Sequence, residues 1–304
     1  MKRLLVLVVL FCWTETLCSQ ALPCVPIRPP MISEVSRVDL EKKLLLAIEE
    51  YKKDTSDAES LIWYGRRLAY LGRYMEAIDV FTLGIKIHSL DARFYRHRGH
   101  RYITVRCFDR AIKDLEYATR LIKNKPDQVE PDGLPNAKNI PTSTLHSNIW
   151  YHLGLAHYLK GDFVKASSAY RQGLKVSGNP DMYVATTNWY YITLRVLHKD
   201  KKASRLIKKI DSSMNIIENR DYLDLLMLYK KDKSTDDARK LLTQSGSTLS
   251  NSTRGFGVGN FFLLKGDLTT AKQIFETVIA GDQWASFGFM AAESALIRLD
   301  LTKK

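Results

Sequence analysis

One short pattern returns along this chain at the spacing of a helix pair, and it restricts the possible folds more than any other feature. It reads Leu61-x2-Tyr64-Gly65-x2-Leu68 with Ala77-x3-Phe81, then Tyr95-x2-Arg98-Gly99-x2-Tyr102 with Ala111-x3-Leu115, then Trp150-x2-Leu153-Gly154-x2-His157 with Ala166-x3-Tyr170. The alanines Ala77 and Ala111 stand 34 residues apart. A period of that size describes a stack of like supersecondary units, none able to bury its apolar face alone. Within a unit the large apolar residue, the Leu or Tyr and the Gly lie three and four apart, so they share one helix face. Gly65, Gly99 and Gly154 are poor helix formers, so their use is to admit a second helix at close range. Ala77, Ala111 and Ala166 are then the facing small residues, with Phe81, Leu115 and Tyr170 filling the space beside them. Turns fall at Leu71-Gly72-Arg73, Lys160-Gly161-Asp162 and Lys265-Gly266-Asp267, with Gly as the helix stop.

These residues resemble the tetratricopeptide repeat (TPR) family, in particular its secreted bacterial members. The resemblance implies antiparallel helix pairs stacked into an α-solenoid, and no β-strand pattern competes with an all-α chain. The template continues with lower fidelity around Ala203, Ala238 and Ala271, where Tyr191 stands in place of the first missing glycine and Gly259 restores the last. Three clear and three degenerate repeats are expected. They divide into 54–123 for the first two, and 147–283 for the third and the degenerate ones. Terminal repeats need covering. Residues 35–53, with Leu40, Leu44, Ala47, Ile48 and Tyr51 on one stripe, suit a capping helix, and residues 284–304 hold a second cap and a short tail.

Lys2-Arg3, an apolar run from Leu4 to Trp13 and a small-residue end at Cys18-Ser19 have the layout of a secretory signal, residues 1–19. The run is too short to span a bilayer. The expected location is therefore secreted, periplasmic or cell-envelope associated, with an uncleaved anchor as the alternative and no other transmembrane segment. The formal charge of +13 favours acidic partners, while secretion argues against nucleic acid. Much of the excess is expected to solvate outer helix faces, as at Lys199, Lys201, Lys202, Lys208 and Lys209. Of four cysteines, cleavage leaves Cys24 and Cys107. The reading favours Cys107 as a small buried hydrophobe and Cys24 free in a Pro-rich extended tail, residues 20–34, that has no visible anchor point. A Cys24–Cys107 disulfide is the alternative.

Ala111 and Ala166 are 55 residues apart, so about one and a half units separate the second and third repeats. The surplus, residues 124–146, carries Pro126, Pro131, Pro135 and Pro141, which exclude a continuous helix. A loop of this length is a functional element or a tolerated insertion. Its exit offers Ser143 or Ser147 as a helix N-cap.

In the family that the chain resembles, first helices line a concave groove. The resemblance places Ile62 and Arg66, Arg96 and His100, and Tyr151 and Leu155 in it, with Arg93, His97, Asn148 and His152 nearby. The candidate binding groove is thus Arg66, Arg93, Arg96, His97, His100, Asn148, Tyr151 and His152, basic at one end and aromatic at the other. One TPR subfamily holds a terminal carboxylate with Lys and Asn at such positions, and that set is absent here. The expected function is capture of a protein or peptide partner of acidic character. The alternatives are an accessory subunit docked through its outer face or the 124–146 loop, a binder of anionic cell-wall polymer, or an enzyme of unrecognised type. No phosphate loop, nucleophile elbow or HExxH motif is present, and the histidine pairs sit among arginines. No catalysis, metal or cofactor is expected.

Overall fold

The computed structural model describes residues 24–230, 234–244, 246 and 248–301, so the expected signal segment lies outside the described residues. After α1 (Glu34–Lys53) the chain forms six helix pairs. These are α2 (Ala58–Tyr70) with α3 (Tyr74–Ile87), α4 (Ala92–Thr104) with α5 (Phe108–Leu121), and α6 (Leu145–Lys160) with α7 (Phe163–Val176). Then come α8 (Pro180–Val196) with α9 (Asp200–Ile207), α10 (Arg220–Lys230) with α11 (Thr235–Thr243), and α12 (Thr248–Leu264) with α13 (Leu268–Ala280). Helix α14 (Phe287–Leu301) ends the array, and among the described residues there is no β-strand beyond an isolated bridge between Val129 and Thr144. None of the described helices is long and apolar enough to cross a membrane.

The first, second, third and sixth pairs each close on a glycine. A Cβ on Gly65 would meet the Phe81 ring at 2.4 Å, and one on Gly154 would meet Tyr170 at 2.5 Å; Leu115 and Phe275 cover Gly99 and Gly259 in the same way. The large residue, rather than the facing alanine, therefore sits directly over the glycine. Ala77, Ala111 and Ala166 are fully buried beside it. Gly72, Gly161 and Gly266 take positive φ at the turns between paired helices, as a glycine stop requires. The second and fourth pairs make the same bend without glycine, at Arg106 (φ 59°) and His198 (φ 55°). Arg106 is compensated by tertiary contacts: it donates to Thr104 O and Trp284 O, pairs with Glu293 at 3.0 Å and lies 4.0 Å over the Trp284 ring.

Those contacts also show that the array is closed rather than open. Trp284, just ahead of α14, reaches Tyr74 of the first pair and the α4–α5 turn, and Phe287 packs on His100, Tyr151 and His152. The last cap thus covers the early repeats as well as α12 and α13.

The N-terminal tail is anchored, contrary to expectation. Cys24 and Cys107 form a disulfide, with their Cα atoms 5.2 Å apart, and Cys24 N donates to Val105 O. Val25 and Ile27 pack on the core, Arg28 lies over Phe289, and Pro30 fills the space over Gly72. Cys107 is buried, as read, but it is not free. The bridge spans 83 residues of sequence. A crosslink over such a loop restricts the unfolded chain, and its reduction is expected to lower stability by about 2–4 kcal/mol. Urea midpoints with and without a thiol reductant, beside a Cys24→Ser variant that should not respond to reductant, measure this.

Candidate functional site

The 124–146 segment turns inward and fills one end of the concave face. It leaves α5 through Asn124 at positive φ, and Asp127 then accepts from Thr144 Oγ1 and His146 N at the start of α6. The α6 N-cap is Thr144, in a reciprocal capping box with Ser147, rather than Ser143 or Ser147 as expected. Between these anchors the chain crosses the face that the first two repeats present. Arg66 Nη2 donates to Pro131 O at 2.7 Å and Arg67 Nη1 to Gly133 O at 2.8 Å. Arg96 Nη2 lies 3.1 Å and His97 Nε2 3.3 Å from Glu130 Oε1. Asn148 Nδ2 donates to Glu130 Oε2 at 2.7 Å. Glu130 is almost fully buried.

Electrostatics here follow from burial. Arg96 donates to His97 Nδ1 at 2.9 Å, and because arginine only donates, that nitrogen is unprotonated and Nε2 carries the hydrogen. Burial and the neighbouring arginines push His97 and His100 well below the ordinary histidine range, and burial beside Arg96 does the same to His152. His152 Nδ1 is the donor in its 2.6 Å contact with Asn148 O. Burial brings Arg101 down to about 10, and no carboxylate among the described residues pairs with it. Asp132 is raised, first by burial and then by Glu218 and Glu130.

Two adjoining cavities remain beside the loop. The smaller, about 270 Å³, is walled by Arg66, Tyr70, Arg96, Arg101, Glu130 and Asp132. The larger, about 530 Å³, lies between Tyr151, His152, Met182, Tyr222 and Phe287, with Glu218 and Asp221 at its rim. They share Arg96, His100, Asp132, Ser143 and Glu218. The aromatic wall is held rigidly: Trp189 Nε1 donates to Tyr151 Oη at 2.8 Å, and Tyr151 and Tyr222 hydroxyls are 3.2 Å apart. Asp181, buried at the start of α8, accepts from the backbone N–H groups of Ile217, Glu218 and Asn219 and so fixes the acidic rim.

The structure therefore gathers Arg66, Arg96, His97, His100, Asn148, Tyr151 and His152 around one site. Arg93 is not part of it. Its guanidinium is taken by Asp91 at 2.6 Å and Glu59 at 2.8 Å, away from both of these cavities. Ile62 and Leu155 also miss the groove and lie in the core. Sequence reasoning missed Glu130, Asp132, Glu218, Tyr222 and Phe287. Only the first two carried a signal, as acidic residues in an insertion that separates two repeats whose groove positions are basic.

Helix pairs stacked in sequence beside these cavities make an all-α solenoid. Residues 147–180 match the tetratricopeptide repeat family, and the glycine-centred packing of this matched pair recurs in the first, second and sixth pairs, so the stack is TPR-like. Among curated proteins nothing matches. Three solved structures are similar in fold. A TPR protein from Parabacteroides merdae has 16% identity and a TM-score of 0.49, over 86% of this chain and 94% of that one. YrrB, a TPR protein described as having an unusual peptide-binding site, has 12% identity and a TM-score of 0.44, over 79% and 95%. The TPR domain of P58(IPK) has 16% identity and a TM-score of 0.33, over 89% and 71%. At these levels the likenesses say nothing of the site.

Proposed function

We propose that this protein binds a segment of a partner protein in its concave cavity and works outside the cytoplasm, in the cell envelope or a secreted setting. The observation that carries the binding reading is the larger cavity, with a pre-formed aromatic wall beside buried arginine and histidine. Rigid aromatic surface supplies contact area at low entropic cost, and a few placed polar groups supply orientation. The location is supported by the signal-like residues 1–19 and by the Cys24–Cys107 bridge, since such bonds persist in oxidising compartments.

Phe287 tests the binding reading because it lines the cavity yet is only half-buried. Peptides selected from a displayed random library against the parent protein are expected to bind Phe287→Ala at least tenfold more weakly, as for a central aromatic contact. Equal affinity for both proteins would remove the cavity from the reading. A second reading, docking through the outer side of the 124–146 loop, is favoured by the exposure of Val129 and Ile140 there. Replacing these two by Ser should leave peptide binding intact and release a partner held that way.

A further inference from the structure

The loop segment in the basic end of the groove makes the contacts that a bound peptide would make. Two arginines hold backbone carbonyls of Pro131 and Gly133, a grip that does not depend on side-chain identity. One carboxylate, Glu130, enters a buried pocket of Arg96, His97 and Asn148. Gly133 lies so close to α2 that a Cβ there would fall 1.8 Å from Tyr70 Oη. We propose that residues 130–133 are a tethered ligand, and that the natural partner is an extended acidic segment which displaces them. This rests on the reading of the concave face as a peptide-binding surface, and adds the chemistry of the partner and the competitor it must remove.

The seat is incompletely satisfied, which is what makes exchange feasible. Arg96 is 9% exposed, yet its Nε has no hydrogen-bond partner among the described residues. Glu130 Oε1, though at ion-pair distance, and Asp132 Oδ2 also lack hydrogen bonds of good geometry. Arg101 lines the same cavity, and no carboxylate among the described residues is paired with it. A buried ion pair with unmet donors contributes little net stability, because desolvation offsets much of its attraction. An incoming carboxylate free of the loop's tether can meet Arg96 in the two-pronged geometry that Glu130 does not reach. The tether itself raises the local concentration of the loop segment, so the intact protein should bind weakly in trans.

The experiment uses the full chain and a fluorescent, end-blocked peptide spanning residues 128–134. Anisotropy titrations compare the parent with two separate variants, Glu130→Gln and Gly133→Val, whose helical circular dichroism is checked first. Both variants weaken the loop's hold and leave the groove's own side chains in place. At least tenfold tighter binding by either folded variant than by the parent is expected. The same peptide with Gln at its glutamate position should lose that gain. Equal binding by parent and variants, or binding by none, overturns the proposal. A second measurement needs no variant: saturating peptide should speed tryptic cleavage after Lys138 in the parent, and an unchanged rate counts against displacement. If Phe287→Ala still abolishes capture while these tests fail, the peptide-binding reading stands and the tethered ligand does not.

Discussion

Lowering the pH from 7.5 to 5.5 is expected to cost this protein up to about 4 kcal/mol of stability through three imidazoles, the ceiling being three groups that stay neutral throughout. His97, His100 and His152 all have native pKa values pushed well below the ordinary range. In the unfolded chain each takes up a proton near the reference value of about 6.5. The sign follows directly. Below that value the unfolded state binds protons that the native state refuses, so stability is full above it and falls as the pH drops. The slope approaches about 1.4 kcal/mol per pH unit for each imidazole that stays neutral. For His97, geometry supports the same conclusion independently. Arg96 points an N–H at His97 Nδ1, so a second proton there would face a donor. Glu130 Oε1 at 3.3 Å from Nε2 works in the opposite direction, and burial with several nearby arginines outweighs that one carboxylate. Urea midpoints across this range measure the effect, a range chosen to lie above most carboxylate titration. A His100→Gln variant should lose about one imidazole's share of the slope. A flat profile would mean that the native site accepts the protons.

The second large effect is expected at Arg98 and Asp114, which bind α4 to α5. Arg98 Nε and Nη2 each donate to one carboxylate oxygen at 2.7 Å, and Nη1 donates to Thr82 of α3 at 3.1 Å. Both side chains are largely buried. Removing Asp114 leaves a guanidinium in a dry interface with one neutral partner, and losing one member of such a pair costs about 3–5 kcal/mol. Asp114→Ala should show that loss in urea unfolding, with the array still helical. The double variant Arg98→Leu/Asp114→Leu should recover most of it, since an apolar replacement removes the desolvation cost along with the attraction. A single-variant cost below about 1 kcal/mol would mean that water reaches Arg98 and screens the charge.

Much of the fold was legible because its determinants are local and periodic. Gly65 and Phe81, or Gly154 and Tyr170, meet within one unit, at separations that the repeat itself sets. The degenerate units were harder to read because their contacts differ. In place of a glycine crossing, Tyr191 of α8 stacks on Tyr229 of α10 at 4.9 Å. Arg106 could not be read as a turn former, since its positive φ without glycine is held by distant partners, Trp284 and Glu293. The candidate site was legible in part. Its arginines and histidines were placed by the repeat register, whereas Arg93 sits at a helix start where Asp91 and Glu59 claim it.

The sequence by itself determined the helix pairs, their packing faces and the basic-to-aromatic gradient of the concave side, because each depends on residues a turn or a helix apart. Only the tertiary structure decided that this face is partly occupied and the array closed. Glu130 reaching Arg96, Phe287 reaching His152 and Cys24 reaching Cys107 are meetings across 34, 135 and 83 residues of chain. No periodicity links such partners. Their pairing follows from the curvature of the whole stack, which brings an insertion, a C-terminal cap and an N-terminal tail to the same few helices.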